Sequence, residues 1–336
     1  YLSLQTLFNR NIDSLFKEFE KNRETISKRY AAQYGITNPS PVNPNYIDGF
    51  NNDHQDVILN SFLTTYSGKN PNNSKLDLFK TMPLPNWQLN YSGLSKLAVF
   101  NGFFQDFSIR HGYKTVLTVN SFRTNLDYEE NLIGTPIKRK VDTLPTSYYT
   151  KYEIPGVVID ERFNPLIGIN IKTKNGLDLS FDVNKTRMLT MQSSLGTLDE
   201  RNSTEYVVRA AYVVKNVYLS FLPGMKKIKK VSKKFKKGQS PEELKAKTPK
   251  GNDINISLDF GIKDRISKLH VIDDNTVARP YEGAKVITLS PAVKYNLNKN
   301  LNLRLFVDYT KQIPYVSTAF KDVRINGGLT VQFLLN

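Results

Sequence analysis

The chain has 336 residues, and 39% of them are hydrophobic, which is below the usual apolar share of a globular protein; its mean hydropathy is −0.42. No run approaches the roughly 18 apolar residues of a transmembrane helix, and the lack of cysteine excludes disulfides and thiolate metal sites. The net charge is +16, but residues 225–251 hold eleven lysines and two glutamates, which is +9 and leaves +7 elsewhere. The charge pattern therefore does not indicate a nucleic-acid groove spread over the fold.

The first 85 residues predict a helical segment ahead of the strands. Residues 1–10 alternate loosely, and we expect them to be the end of an upstream barrel strand. Apolar residues at three- to four-residue intervals predict helices over Asn11–Tyr34 and Gln55–Tyr66, joined by the Asn- and Pro-rich stretch Gly35–Asp53. A connection of this length is too long to be structureless, so we predict that residues 11–85 form a folded insert on the extracellular side.

Residues 86–336 have the alternation of long strands. We predict strands over Asn86–Leu94, Phe107–Phe122, Leu166–Thr173, Leu177–Met191, Glu205–Phe221 and Lys285–Leu297, and three more beginning at Ile254, Leu301 and Ile325. Polar stretches predict long links over Leu126–Val157 and Ser193–Thr204. We expect a bulge at Val213–Val214, and at Pro291 either a bulge or a locally unpaired edge, since proline cannot donate to a ladder.

Three strands near the end alternate strictly between apolar and polar residues, with Phe306 as the one exception. Strands of nine or more residues with one apolar face are typical of an antiparallel transmembrane β-barrel, whereas a soluble β-sandwich shows the same alternation in shorter strands. We expect the apolar set to face lipid: Ile256, Leu258, Phe260, Leu303, Leu305, Val307, Leu329, Val331 and Phe333. We expect Asp259, Arg304 and Gln332 to face the lumen.

Catalytic and metal-binding patterns do not occur in the sequence. The three histidines, His54, His111 and His270, lie in different predicted elements, and no nucleophile, phosphate-binding or dinucleotide motif is present. The carboxylate pairs Asp160–Glu161 and Asp273–Asp274 are expected to be solvated surface. We therefore expect no enzyme activity, no cofactor and no metal site.

The lysine-rich segment, residues 225–251, has two interpretations. One is a solvated loop, and the other is an electrostatic site for anionic lipid or an acidic partner. Counting strands places this segment with the short links, which are periplasmic in bacterial barrels. The lysines concerned are Lys226, Lys227, Lys229, Lys230, Lys233, Lys234, Lys236 and Lys237.

Several long strings resemble a known family. They are PLPNWQLNYSGLSK (83–96), HGYKTVLTVNSFRTNLDY (111–128), FNPLIGINI (163–171) and LNLRLFVDYTKQIPYVSTAF (301–320). They are similar to the C-terminal region of the SprA (Sov) family, the gliding-motility cell-surface proteins that are the outer-membrane translocons of the type 9 secretion system in Bacteroidota. The likeness covers most of the chain, except that residues 225–251 are longer and more basic than the family pattern.

This resemblance implies a very large barrel made by a longer chain, which passes folded cargo proteins across the outer membrane to the cell surface. It implies as partners the rest of the barrel, a PorV-like outer-membrane barrel, periplasmic and plug proteins, cargo and lipid, but no nucleic acid. Without a signal peptide, the sequence is expected to be a mature chain or a fragment that cannot close a barrel alone. The alternatives are a TonB-dependent or porin-like small-solute transporter and a soluble β-sandwich binding module.

Overall fold

A computed structural model describes residues 12–79, 86–140, 146–217, 252–274, 278–297 and 300–333. The expectations for residues 1–10 and for the lysine-rich segment lie outside these residues. The described chain is mostly β, with a helical part near its beginning.

The helices are α1 (Ile12–Gln33), α2 (Gln55–Tyr66) and the short α3 (Ala98–Asn101), which follows a 3₁₀ turn over Gly93–Lys96. The first strands are β1 (Trp87–Tyr91), β2 (Phe104–Asn120), β3 (Arg123–Thr124), β4 (Tyr152–Glu153), β5 (Gly156–Thr173) and β6 (Leu177–Gln192). The remaining strands are β7 (Thr197–Val217), β8 (Asn252–Val271), β9 (Pro280–Asn296), β10 (Leu301–Pro314) and β11 (Asp322–Phe333).

Nine strands form one antiparallel sheet in the order β1-β2-β5-β6-β7-β8-β9-β10-β11, and β3 and β4 form a separate ribbon. Sheet neighbours follow chain order, so the sheet is a meander built from local pairings. We call the edge with the links 174–176 and 297–300 the lower edge, and the edge with the link 193–196 the upper edge. The expected antiparallel β architecture is confirmed, but the sheet is open, with β1 and β11 as its two edge strands.

Several strands begin a few residues earlier than the sequence predicts, and β5 and β7 begin much earlier. Strand β5 starts at Gly156 rather than Leu166, because it continues through the charged residues 160–162 and a register irregularity between Phe163 and Ile167. Strand β7 starts at Thr197 rather than Glu205. The long link expected over 193–204 is therefore wrong, and only residues 193–196 separate β6 from β7. In the early part of both strands, charged side chains occur on both faces, so the alternation of apolar and polar residues is not visible in the sequence.

The two expected irregularities have different outcomes. Pairing of β9 with β10 omits Ser290 and Pro291 without a shift of register, which confirms the locally unpaired edge. The irregularity of β7 lies between Val214 and Val217, slightly later than the predicted bulge. Asn216 has a φ of 58° there, in the left-handed region where asparagine is tolerated.

Helices α1 and α2 pack on the upper part of one sheet face. Phe19, Leu59 and Phe62 are fully buried in a cluster that includes strand residues of β5, β6 and β7. The strand residues in contact are Val157, Ile159, Leu189, Met191 and Leu198. Because these are aliphatic side chains on alternate positions of their strands, they present one continuous apolar surface to the helices.

The link between β2 and β5 joins these helices and completes a folded unit. We call residues 12–79 with the described parts of 121–155 the cap. A second cluster inside it holds Tyr30, Phe50 and Val57, with Tyr148 of the link packed against it. Arg139 of the link donates to Asp48 over 2.8 Å. The insert predicted for residues 11–85 is thus part of a larger unit.

One ion pair joins the cap to the turn after β8. The guanidinium of Arg23, 1% exposed, bonds both carboxylate oxygens of Asp273. The Asn52 amide donates to the same carboxylate over 2.9 Å, and the Asp273 N–H donates to Glu20 over 3.0 Å. Burial alone would raise the pKa of Asp273, but the hydrogen bonds and charge of Arg23 outweigh it and hold the pKa below its usual range.

Replacing Asp273 by asparagine should weaken cap docking, because the buried guanidinium of Arg23 then lacks its carboxylate. We expect a loss of about 1.5–3 kcal/mol in cap stability, measured by hydrogen exchange of the α1 amides. The matched control is Asp322→Asn, which removes a carboxylate from the surface ion pair with Arg324 outside the cap. Equal protection of the α1 amides in the two variants would contradict the conclusion that the Arg23–Asp273 pair stabilises cap docking.

His54 makes cap stability depend on pH. It is 2% exposed beside Phe50, at a ring distance of 5.0 Å, and burial lowers its pKa to about 3. The unfolded cap takes up a proton near pH 6.5, while the folded cap does not. The contribution of His54 to stability is therefore complete above about pH 6.5 and falls toward pH 3, with a slope approaching about 1.36 kcal/mol per pH unit.

His54→Phe should remove most of this slope, as measured by urea unfolding of the cap between pH 4 and 7. His111→Phe, a substitution on β2 outside the cap, serves as the control. An unchanged slope in His54→Phe would show that another group is responsible.

Candidate functional site

The most extensive feature of the sheet is a row of apolar residues that crosses all nine strands. Each residue of the row is the direct partner of the next, and directly opposed residues share a face. The row consists of Tyr91, Ile109, Ile169, Phe181, Val208, Phe260, Leu289, Tyr309 and Ile325. We call the face that carries it the apolar face and the opposite one the polar face.

All nine residues expected to contact lipid lie on the apolar face. The register aligns Ile256 with Val293, Leu305 and Leu329, and the other six occupy alternate positions of the same strands. Large side chains here are open to solvent, for example Leu329 at 64% and Val331 at 58% exposure. An apolar surface that extends across nine strands far exceeds the patches of soluble monomers.

The uncovered apolar surface ends at a polar row toward the upper edge. Lys185, Thr204, Asp264 and Lys285 are successive partners on the apolar face. Above this row the same face is covered by the cap, which buries Leu189 and Met191 completely. The apolar face therefore has a covered upper part and an uncovered lower part.

A buried ion pair lies next to this boundary. Arg187 on β6 donates to Glu161 on β5 over 3.0 Å, and Tyr113 on β2 donates to the same carboxylate over 3.0 Å. The side chains of Arg187 and Glu161 are 2% and 0% exposed. The expectation that Asp160–Glu161 is solvated surface is thus wrong for Glu161. Consecutive strand residues point to opposite faces, so Asp160 reaches the polar face while Glu161 reaches the protein interior.

The polar face carries charges in complementary pairs. Asp182 lies between two arginines, 2.8 Å from Arg110 and 3.3 Å from Arg209. Asp259, Arg304 and Gln332, expected to face a lumen, are all on this side, as their partners Ser290, Lys294 and Asn302 show. The chemistry of the two faces is therefore that of an amphipathic wall.

The remaining sequence candidates are dispersed. His111 bonds the Leu166 carbonyl at 2.6 Å, and His270 stacks on Phe16 at 4.5 Å. Asp273 is paired with Arg23, so its pair with Asp274 is not simply solvated. Within the described ranges, no cluster of three or more histidine, aspartate or glutamate residues has the arrangement of a metal site.

The lysine-rich segment lies outside the described residues, but the strands that flank it are described. Strand β7 ends at Val217 and β8 begins at Asn252, both at the lower edge. The two strand ends that flank the segment therefore lie at the edge that the strand count predicts.

The sequence predicts the faces but not the cap contact. Nothing in local periodicity links Arg23 to Asp273, which are 250 positions apart. The sequence signal for this contact is the pair of aliphatic residues Val157 and Ile159, which occupy alternate positions of β5 above the polar row.

Comparison with known proteins adds no identification. No protein-family model matches the chain, and no curated protein sequence matches it.

No helix in the described part of the chain is long and apolar enough to cross a membrane.

Ile325→Lys and Asn326→Lys test the chemistry of the two faces at matched depth on β11. Ile325 belongs to the nine-strand apolar row, whereas Asn326 lies on the polar face opposite Asp308. In a bilayer, the first variant should lose roughly 2–4 kcal/mol and the second much less, as measured by urea unfolding from lipid vesicles. Equal losses in the two variants would show that the apolar face does not contact hydrocarbon.

Proposed function

We propose that this chain forms part of the wall of an outer-membrane β-barrel that conducts folded proteins. The observation that carries the proposal is the uncovered apolar row across nine strands, backed by a charged polar face. Hydrocarbon is the solvent that such a face requires, because water would leave most of its side chains unfavourably exposed. A spanning sheet also satisfies its backbone groups between strands, as a bilayer demands.

The height of the uncovered band supports a bilayer as its environment. On β8, apolar residues alternate from Ile254 to Ile262, and the next position on that face is Asp264. These nine residues extend about 27 Å along the strand at about 3.3 Å per residue. Tilted strands of about 9–11 residues cross a bilayer, so the band has the expected size.

Aromatic residues border the band in the manner of interfacial girdles. Tyr212 and Tyr295 lie on the apolar face toward the lower edge, and Tyr206 lies toward the polar row. Tyrosine is favoured at such depths, since its ring is apolar and its hydroxyl reaches the headgroups.

The strands of the sheet are longer than a bilayer requires. Strand β7 has 21 residues and β8 has 20, so both extend beyond the band under the cap.

The lengths of the links between strands indicate an orientation. Short links are typical of the periplasmic side and long ones of the extracellular side. By this rule, the short links 174–176 and 297–300 support a periplasmic lower edge and a cap at the cell surface. The short upper link 193–196 departs from this rule, and so does the long stretch 218–251, which joins β7 to β8 at the lower edge.

A protein-conducting role is supported by the resemblance to the SprA (Sov) family together with the open sheet. Nine strands that do not close require further strands to complete a barrel. The partners proposed are the rest of that barrel, a PorV-like barrel, periplasmic and plug proteins, and secreted cargo. A porin-like or TonB-dependent solute transporter shares the amphipathic wall, so the cargo has to be tested directly.

Loss of this chain in its own bacterium should abolish the delivery of folded proteins to the cell surface, while the uptake of small solutes continues. The expected readouts are cargo proteins retained in the periplasm, impaired gliding, and wild-type chain in the outer-membrane fraction. Normal secretion combined with a defect in uptake of one solute would favour the transporter. Recovery of the wild-type chain in the soluble fraction without detergent would favour a β-sandwich module.

A further inference from the structure

Two cations oppose each other directly on the polar face. Lys294 on β9 and Arg304 on β10 are direct cross-strand partners, and both side chains are exposed. Their neighbours in the same row are the uncharged Asn255 and Thr330. Like charges in directly opposed positions destabilise a sheet, so this pair is unfavourable for folding.

Several other cations of the polar face have carboxylate partners. Lys114 is also directly opposed to a cation, Arg162, but that arginine has a carboxylate partner of its own. Arg162 bonds Asp160 at 2.9 Å, and Arg201 bonds Asp199 at 2.9 Å. The further pairs are Arg110 and Arg209 with Asp182, Lys263 with Glu205, and Arg265 with Glu282. Among the described residues, no carboxylate lies within 4.0 Å of Lys294 or Arg304, the distance within which these pairs are counted. The opposed pair therefore lacks the charge balance of the ion pairs just named.

The guanidinium of Arg304 is held in place by an aromatic ring. It lies 5.3 Å from the centroid of Phe306, the residue that breaks the alternation of β10. Phe306 lies over its partner Gly328, where an added Cβ would approach the ring to 3.2 Å. A glycine opposite the aromatic ring gives Phe306 room to lie flat across β11, and the ring then supports the cation.

The surroundings of the pair offer further hydrogen-bond groups. A shallow depression of about 440 Å³ is lined by Asn255, Ser257, Lys294, Asn302, Arg304 and Gln332. The amides and the hydroxyl of this set can donate to an oxyanion, and none of the lining residues carries a negative charge. An arginine fork matches a carboxylate in two parallel hydrogen bonds, with the lysine as a second charge.

We propose that Lys294 and Arg304 form a binding site for carboxylate groups of an acidic polypeptide segment. The binding geometry stands on the sheet alone, whereas access of a passing or plugging polypeptide to it rests on the proposed function. A lipid phosphate is the less suitable ligand, because lipid would contact the opposite, apolar face. An anion bound here relieves the repulsion between the two cations. The pairing is therefore unfavourable for folding but favourable for binding an anion.

The test uses the full chain in detergent and a fluorescent octaglutamate peptide, followed by fluorescence anisotropy. Lys294→Gln together with Arg304→Gln should weaken binding about tenfold or more. Lys263→Gln together with Arg265→Gln is the matched control, since it removes the same two charges from cations that already have carboxylate partners. The control should change affinity much less, and octaglutamine should not bind the wild type.

The stability of the two double variants provides a second readout. Without peptide, the Lys294/Arg304 variant should unfold at higher urea concentration than the wild type, because a like-charge repulsion is removed. The control variant should gain no stability, because it breaks attractive pairs. Folding of both variants is thereby verified in the same experiment.

Three outcomes would overturn the inference. Equal binding by the Lys294/Arg304 variant would show that the peptide binds elsewhere. Equal weakening in the control would reduce the effect to overall charge. Binding of inorganic phosphate through these two residues, without binding of the peptide, would identify a small-anion site. None of these results depends on secretion or on membrane insertion, so they leave the proposed function to its own test.

Discussion

Direct cross-strand pairing keeps opposed residues on the same face, and this constraint governs the whole molecule. A slip of one residue in any strand would move that strand's apolar set to the polar face. The short links at 174–176 and 193–196 hold neighbouring strands in register. Between Phe163 and Ile167, β5 advances four residues while β6 advances two. The two extra residues are an even number, so the faces remain in phase across the irregularity.

The same apolar face serves two environments. Its upper part is covered by the cap, where aliphatic strand residues meet the aromatic residues of α1 and α2. Its lower part remains open below the row that contains Lys185 and Asp264. The buried pair of Arg187 and Glu161 lies between these parts, in a region where an unpaired charge would be costly. The Arg23–Asp273 pair connects the cap to the turn after β8. This contact helps to determine which part of the apolar face the cap covers.

The polar face is organised by charge rather than by packing. Most of its described cations form an ion pair with a carboxylate. The hydrated surface as a whole therefore does not strongly attract ligands of one sign of charge. The departure at Lys294 and Arg304 is local and is stabilised by Phe306 over Gly328. Phe306, the residue that breaks the alternation of its strand, thus lies beside this unbalanced pair of cations.

The sequence alone determined the long antiparallel strands, their two faces, and the existence of helices before the strands. Alternation of period two is a local property, so Ile256, Leu258 and Phe260 reveal their common face without tertiary information. The early parts of β5 and β7 were missed because charges such as Glu161 and Glu200 occupy apolar-face positions that only the folded protein can neutralise or bury.

Only the tertiary structure decided where the cap lies. Its helices show an apolar side, but periodicity does not say which surface that side will contact. The contact joins α1 to a turn 250 positions later, and such long-range pairs leave no local pattern. The opposition of Lys294 and Arg304 likewise depends on the register of β9 with β10. Register arises from pairing across strands, and therefore appears only when the sheet is assembled.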